Sequence, residues 1–508
     1  MSPPNTEPKT GMGSPEGSPI ETKKLDRALV GGAAWTVGAK WLTQLISWPS
    51  VLITARLLSP GDYGLVEMAG FYFVVTNVMA EFGIGMAVLQ MRELDRTVTA
   101  QLNTIAAMTG GLAFAVSVAA APLIAAFFRA PALKHLVVVA SLSFILTSLE
   151  AIPLGLLQRD MDYRRLSVAE SVQAVVMACV SVGCAYAGMG YWSLVIGNLV
   201  GRAANIGLAI YWRPTPFAWP HRKQVAAPLR FGMEIAVQRI ASSINGLSDV
   251  MVIGRTMGQS PLGAYRLASN LASTPAERIG TVIMRVTGPL FSRVQEDRDM
   301  MLRYFLIFSE TLAMSAFPLL FGLAIVAPET VALLLGPKWA GASSPLRWLA
   351  IFMVVRTMTS LMHQLIPTLR LTRFGMWMSF ISFVLMPVAF YVASSRGVGA
   401  VAAAWLLMSP ITVLPVAAKV FSEIGCSVAQ YMRALSPAVA GSAAMLLAIL
   451  GLRWWLRLQG WPGLMAEVTL GGVVYGGVLW VFFRERVMRF YRFFGGLRAP
   501  QSSAAAAV

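Results

Sequence analysis

The residues with the clearest chemistry in this sequence are cations inside long apolar segments. Lys40 lies in the first apolar run, Arg239 in a run that begins near residue 230, and Arg278 near the middle of the next run, beside Glu277. A cation at the centre of a membrane-spanning helix costs roughly 2.5 to 3.5 kcal/mol, so it is kept where it is paired or faces water. We therefore predict that Lys40, Arg239 and Arg278 line a polar cavity.

An internal repeat relates two of these cations. An offset of 199 residues aligns Ile53–Ala69 with Val252–Ala268, and Gly64 then falls on Gly263. The same offset places Lys40 on Arg239. Equivalent cations in two repeated units indicate a duplicated transporter in which each half supplies one charged wall. The rival interpretation of Arg239 is a local pair with Glu234, and that of Arg278 is a pair with a carboxylate on a neighbouring helix.

The composition identifies the broad class of protein. Hydrophobic residues make up 56% of the 508 residues and charged residues only 13%, and the mean hydropathy is +0.64. Apolar runs long enough to cross about 30 Å of hydrocarbon recur along the chain, and they do not alternate as barrel strands do. The sequence therefore predicts an all-α polytopic membrane protein with about 14 transmembrane helices.

The repeat and the polar segments predict the domain boundaries. We expect a disordered cytoplasmic tail at 1–26, an N-lobe of six helices at 27–212, a cytoplasmic linker at 213–230, a C-lobe of six helices at 231–421, an extra helix pair at 432–484 and a cytoplasmic tail at 485–508. The two halves enter from the same side, so they are predicted to be parallel repeats with the cavity between them.

The formal net charge of +17 reflects orientation in the membrane. Lysine and arginine lie mostly in short loops that share one side, which predicts both termini in the cytoplasm and no nucleic-acid partner. The three cysteines lack metal-binding spacing, so we expect no disulfide framework, no metal site and no cofactor.

Other charged residues in the spans are candidates for gates or structural pairs. Asp249, near the outer end of the seventh span, suits an outer gate or ion coupling, or equally an exposed loop-edge carboxylate. Glu81 ends the second span and suits a cytoplasmic gate or helix end. His363 is more typical of a packed interhelical hydrogen bond than of a proton relay. An intra-lobe charge network is predicted for the remaining deep charges: Arg202 with Glu150 and Glu170, and Arg356 with Glu310.

Several motifs resemble the Wzx-type polysaccharide flippases, in particular the colanic-acid-exporter-like group, within the superfamily that also holds lipid II flippases and multidrug antiporters. They are ARLLSPGDYGL (Ala55–Leu65), EFGIGMAVLQ (Glu81–Gln90), LLQRDMDYRRL (Leu156–Leu166), LRFGMEI (Leu229–Ile235), LGAYRLASNLA (Leu262–Ala272), the block Pro275–Gln295 and LLGPKW (Leu334–Trp339). Their order and spacing together are specific to the family.

The resemblance implies a V-shaped pair of six-helix lobes that alternates between inward-open and outward-open states in the bacterial inner membrane. It implies transport of an oligosaccharide repeat unit linked through a diphosphate to a polyprenol such as undecaprenol, for exopolysaccharide, capsule or O-antigen assembly. A polysaccharide polymerase and a chain-length regulator are the partners it suggests besides the bilayer. The cations would then compensate the charge of the diphosphate and of any acidic sugar.

Two alternatives remain open at this stage. A drug or ion antiporter of the same superfamily would need a smaller, drier cavity, which fits several buried cations less well. A membrane glycosyltransferase or polymerase would need a long external catalytic loop, and the predicted external loops are short. The sequence also lacks the Walker A, HExxH and GxSxG motifs, so we expect a transporter and not an enzyme.

Overall fold

The computed structural model describes residues 43–81, 95–221, 247–456, 458–486 and 488, and their regular structure is helical. The helical segments are α1 (43–57), α2 (Pro60–Glu81), α3 (Arg96–Phe128), α4 (Leu133–Arg159, interrupted at Ser141), α5 (Tyr163–Tyr186), α6 (Trp192–Trp212), α7 (Ser248–Thr256), α8 (Gln259–Arg293), α9 (Arg298–Ile325), α10 (Ser343–Thr368), α11 (Thr372–Ser394), α12 (Val398–Ile424), α13 (Val428–Leu456) and α14 (Gly460–Phe482). Between α9 and α10, residues 327–342 form short helical turns, including a π-helix at Val331–Leu335 and a 3-10 helix at Pro337–Ala342.

Ten helices in the described ranges are long and apolar enough to cross a membrane, and they confirm the all-α membrane class. They are α3 to α6 and α9 to α14, α10 being counted together with the turn that precedes it. The predicted total of about 14 spans stays a prediction. The remaining four segments, α1, α2, α7 and α8, belong to the region where the two halves of the chain meet.

The helices pack in two groups that follow chain order. In the N-lobe, here α1–α6, α4 packs against α3 and α6, and α5 packs along α6. In the C-lobe, here α7–α12, α10 packs against α8, α9 and α12, and α11 packs against α7 and α12. The two groups meet chiefly through α2 and α8, so these two helices set the geometry between the lobes.

Local sequence signals fix where several helices begin. Asp95, Asp162 and Asp297 each precede a helix and accept a hydrogen bond from a backbone N–H in its first turn, at 3.0, 3.2 and 2.9 Å. Such caps satisfy donors that have no partner inside the helix. Gly258, with φ +87°, makes the turn that joins α7 to α8. The tight turn brings α7 back against α8.

The last two helices are held to α9 near its middle and at its C-terminal end. The Tyr475 hydroxyl of α14 donates to the Met314 carbonyl at 2.7 Å, and one turn away Glu310 pairs with Arg486 at 3.1 Å. At the C-terminal end of α9, Arg453 donates to the Ile325 carbonyl at 3.1 Å and pairs with Glu329 at 3.0 Å. Arg453 also pairs with Glu467 of α14 at 2.8 Å, which joins α13 to α14. The α13–α14 pair is therefore fastened to the C-lobe by polar contacts at two levels.

Candidate functional site: the interlobe cleft and its closed end

The two lobes touch backbone to backbone where α2 crosses α8. A Cβ atom built on Gly64 would lie 1.7 Å from the Gln259 carbonyl oxygen, and one built on Gly263 would lie 1.8 Å from the Pro60 carbonyl oxygen. Gly64 and Gly263 are equivalent in the 199-residue repeat, and so are Pro60 and Gln259. The contact is therefore reciprocal, and only glycine permits so close an approach.

One helical turn further along, an ion pair joins the same two helices. Arg266 Nε donates to Glu67 Oε2 at 2.9 Å, and both side chains are about a quarter exposed. Glu67 and Arg266 are also separated by 199 residues, so they occupy the same position in the two repeats. A direct charge contact thus sits on the pseudosymmetry axis of the molecule.

The segment between α9 and α10 completes the closure at this end. Trp339, which is fully buried, donates its indole N–H to the Ala55 carbonyl at 2.7 Å, and its ring meets the edge of Tyr63 at 5.3 Å. Arg56 donates to the Leu334 carbonyl at 2.8 Å, and Lys338 donates to the Arg56 carbonyl. These hydrogen bonds therefore hold the C-terminal end of α1 against the C-lobe.

Beyond the crossing, α1 and α8 line a cavity of about 480 Å³ between the lobes, called here the interlobe cleft. The α2–α8 crossing and the end of α1 form its closed end. Arg278 lies in its wall with an exposed side chain and donates to the Gln44 side-chain oxygen of α1. Neighbouring polar wall groups are Thr274, Glu277 and Thr281. The rival interpretation was a carboxylate partner on a neighbouring helix; in the part of the chain that the structure describes, the partner of Arg278 is the neutral amide of Gln44 and no ion pair is formed.

A cavity of about 550 Å³ in the N-lobe adjoins this cleft, because Ser47, Val51, Leu267 and Asn270 line both. Its charged wall residues are Glu67 and Arg202.

The structure brings Arg202 to Glu150 at 3.4 Å, and Arg202 also donates to the Thr147 hydroxyl at 2.8 Å. Asn205 donates to Glu150 at 3.1 Å. Glu170 is exposed and takes part in no ion pair among the described residues, so the structure does not bring the predicted third member into this network.

The C-lobe holds a cavity of about 560 Å³ lined by Asp249, Arg266 and Arg356 among others. Asp249 is only 5% exposed, which corrects the alternative of an exposed loop-edge carboxylate. It accepts hydrogen bonds from the Tyr265 hydroxyl at 2.7 Å and from the Val250 N–H at 2.8 Å. The carboxylate is buried because residues from α8, distant in sequence, cover it.

The predicted pair of Arg356 with Glu310 is wrong. Glu310 pairs with Arg486, which follows α14. Arg356 lines the C-lobe cavity, and among the described residues its hydrogen-bond partner is the Met353 sulfur at 3.9 Å. Lys40 and Arg239 lie outside the described residues. Glu81 is the last residue of α2, and its side chain also lies outside what the structure describes.

Sequence reasoning missed the main contact between the lobes, although the signal was present. The 199-residue alignment sets Glu67 against Arg266, two opposite charges in equivalent columns. Trp339 belongs to the LLGPKW motif, whose residues had been given no role. Cations without a partner are the signal that hydropathy brings out, whereas Glu67 and Arg266 act through each other across the two repeats.

The fold resembles that of a solved membrane transporter. The lipid II flippase MurJ in an inward closed conformation superimposes with a TM-score of 0.70 at 14% sequence identity, covering 89% of this chain and 99% of that one. The chain belongs to the polysaccharide biosynthesis protein family, whose model matches residues 53–345, more than half of the sequence.

Two curated relatives agree with this family. The lipopolysaccharide biosynthesis protein WzxC of Escherichia coli K12 is 24% identical over 352 residues, which cover 66% of this chain and 68% of that protein. The succinoglycan biosynthesis transport protein ExoT of Rhizobium meliloti is 29% identical over 319 residues, covering 62% of this chain and 64% of ExoT. By family and by its membrane-spanning helices the chain is a multi-pass membrane protein of polysaccharide biosynthesis, and its relative ExoT is named as a transport protein.

Proposed function

We propose that this protein is a flippase that moves a polyprenyl-diphosphate-linked oligosaccharide repeat unit across the bacterial inner membrane. The observation that carries the proposal is the interlobe cleft, closed at the α2–α8 crossing and holding the exposed Arg278 fifteen residues further along α8 than Gly263. At 1.5 Å per residue, the two levels are roughly 22 Å apart. A cation at that distance from the closed end would lie deep in the membrane on a wall shared by both lobes, which supports the proposal.

The chemistry of the cargo matches such a wall. A diphosphate must leave water while the polyprenol tail stays in the bilayer, and a guanidinium supplies both charge and directed hydrogen bonds to phosphate oxygens. Arg278 can exchange the neutral Gln44 oxygen for a phosphate oxygen without leaving a buried carboxylate unpaired. We assign Lys40 and Arg239 to the same cavity on the basis of their predicted depth and repeat relation.

Alternating access would require the closed end to open. The Glu67–Arg266 pair is about three-quarters buried, so the two charges must meet water or new partners when the end opens. The larger part of the closure is packing at the glycines and at Trp339, which can separate as a unit. We place this end in the periplasm with both termini in the cytoplasm, and we assign Asp249 and Glu81 to gating or coupling.

The proposal also names the biological context. The cargo would feed exopolysaccharide, capsule or O-antigen assembly, and the polymerase and chain-length regulator of that pathway would act on the released unit. The names of the relatives support this context, because ExoT is a transport protein of succinoglycan biosynthesis and WzxC a protein of lipopolysaccharide biosynthesis.

Reconstitution tests the proposal directly. Purified protein in sealed vesicles should make an inner-leaflet lipid-linked oligosaccharide accessible to a membrane-impermeant oxidant, and empty vesicles should not. A deletion strain should accumulate the lipid-linked unit, detected by mass spectrometry of extracted lipids. Formation of glycosidic bonds by the purified protein in detergent, or no exposure of the oligosaccharide above that of empty vesicles, would overturn the proposed function.

A further inference from the structure

The C-lobe cavity is separate from the cleft that holds Arg278, and nothing in the proposed headgroup site requires it. Its volume of about 560 Å³ lies within the usual range of small-molecule sites, roughly 300 to 1,000 Å³. Six residues with hydroxyl groups line it on four helices, α8, α10, α11 and α12: Ser269, Ser360, Ser379, Ser382, Ser409 and Thr412. Four of these hydroxyls donate to a carbonyl of their own helix, which leaves their oxygens able to accept a hydrogen bond from a ligand.

Arg356 gives this cavity an uncompensated positive charge. It lies in the middle of α10, half-way along a span, and forms no ion pair among the described residues. Ser360 and His363 follow it at spacings of four and seven residues, so the three side chains share one face of α10. An arginine at this depth is costly unless an anion or water meets it.

The other charges around the cavity do not neutralise Arg356. Asp249 is the one acidic residue in the described wall, and Tyr265 and the Val250 N–H already bind its two oxygens. Arg266 is matched by Glu67, which lies outside this wall. Within the described wall, Arg356 is therefore the arginine that no carboxylate contacts.

We propose that the C-lobe cavity binds a sugar that carries a carboxylate, the carboxylate on Arg356 and the sugar hydroxyls on the surrounding serines and threonines. Guanidinium matches a carboxylate through two parallel hydrogen bonds, and each serine or threonine hydroxyl can both donate and accept. Apolar wall groups, among them Phe352, Met378 and Trp405, suit the C–H surfaces of a sugar ring. This inference rests on the proposed function, because the sugar would belong to the transported unit.

A simple inorganic anion is the competing occupant. Chloride would compensate Arg356 but would use neither the hydroxyls of α11 and α12 nor most of the volume. A carboxylate sugar and a chloride ion respond differently to competition by glucose and by chloride, so one titration series distinguishes the two occupants.

The experiment is a binding titration on the full-length protein in nanodiscs, with glucuronate, glucose and chloride as probes. We expect saturable glucuronate binding that neither glucose nor chloride displaces. Arg356→Gln should weaken it by about tenfold to a hundredfold, the usual loss of a charge-assisted hydrogen-bonded pair. Arg356→Lys keeps the positive charge but lacks the planar guanidinium, so its affinity for glucuronate should lie between those of the wild type and Arg356→Gln. Arg347→Gln, on the same helix with an exposed side chain outside the cavity wall, should bind as the wild type does.

Two outcomes overturn the site: equal glucuronate binding by wild type and Arg356→Gln, or full displacement by chloride. A vesicle assay with an acidic and a neutral lipid-linked oligosaccharide then distinguishes the failure of this site from failure of the proposed function. Transport of neither by the wild type refutes the flippase assignment. Transport of the acidic unit at the same rate by wild type and by Arg356→Gln refutes only the carboxylate site.

Discussion

Glu67 and Arg266 occupy the same position in two sequence repeats, 199 residues apart, and bond to each other across the interface between the lobes at 2.9 Å. The crossing beside them is reciprocal in the same way, since Gly64 lies on Gln259 and Gly263 lies on Pro60. The closed end of the cleft is thus built from one short segment used twice, with a charge difference between its two copies.

A charge swap tests the role of this pair. Glu67→Arg or Arg266→Glu alone should place like charges together and favour the open end, whereas the double swap should restore closure. Because the two side chains are about three-quarters buried, we expect a change of at least roughly fivefold in the ratio of the two states, or about 1 kcal/mol. Spin labels at Ala187 and Ser260, exposed sites in the two lobes, would report the distance. A double swap no better than either single change would contradict the interpretation, and Arg347→Ala serves as a control.

Side chains added at the crossing should have a larger effect. Gly64→Val or Gly263→Val places carbon atoms within 2 Å of a backbone oxygen that has no room to move, so the two helices must separate. We expect the distance between spin labels at Ala187 and Ser260 to increase and transport to be lost, while the protein is still inserted in the membrane. Gly280→Ala on the same α8 meets no atom within 4 Å and should stabilise the helix by about 0.5 to 1 kcal/mol. A valine variant that kept the short distance would show that the contact does not limit closure.

Removing the cation from the cleft should abolish transport. Arg278→Ala deletes the exposed guanidinium of the interlobe wall, and we expect the vesicle transport rate to fall at least about tenfold, as for loss of a charge-assisted contact. Arg278→Lys should retain part of the rate. Arg293→Ala, an exposed arginine at the end of α8, is the matched control. We expect the same loss for Lys40→Ala and Arg239→Ala. Wild-type rates in all three alanine variants would remove these cations from the mechanism.

Cysteine labelling tests the orientation. In a background with Cys179, Cys184 and Cys426 replaced by serine, Ala187→Cys should react with an impermeant maleimide in spheroplasts, because its turn is assigned to the outside. Glu296→Cys, in the exposed loop between α8 and α9, should react only after lysis. The opposite labelling pattern would invert the topology and place the closed end in the cytoplasm.

The α13–α14 pair gives a stability prediction. Glu467 is 6% exposed and binds Arg453 through both oxygens at 2.8 Å. Glu467→Gln keeps the shape but removes the charge, and Arg453 retains Glu329, so we expect a loss of about 1 to 3 kcal/mol. Thermal unfolding in detergent would measure it. An exposed pair such as Lys419–Glu423 provides the control, since Glu423→Gln should change the midpoint very little.

Hydropathy was sufficient to predict the helical membrane class, and the repeat offset related the two segments that later proved to meet between the lobes. Hydropathy is informative because every lipid-facing residue of a span must be apolar. The repeat is informative because a duplication preserves the spacing of residues in both copies. Pairings between helices were harder. Glu310 binds Arg486 and not Arg356 because the partner is decided by which face of α9 meets α14, and rotation about a helix axis is poorly marked in a span that is apolar on all sides.

The burial of Asp249 was equally hidden. Its position near a turn suggested exposure, but Tyr265 of α8 and, through Tyr265, Trp405 of α12 close over it. These residues come together only in the tertiary fold. The Glu67–Arg266 contact, by contrast, has a signal in the repeat alignment, because residues of opposite charge occupy equivalent positions.

That change of sign bears on the ancestry of the chain. Two identical subunits related by a twofold axis carry the same residue at each matched site, so such a dimer would set glutamate against glutamate or arginine against arginine there. The opposite charges at 67 and 266 can have arisen only once the two copies could mutate independently. The reciprocal glycine contacts could also form in a symmetric dimer of identical subunits. The ion pair could not, so it arose after the two copies had diverged, and the two halves are no longer interchangeable.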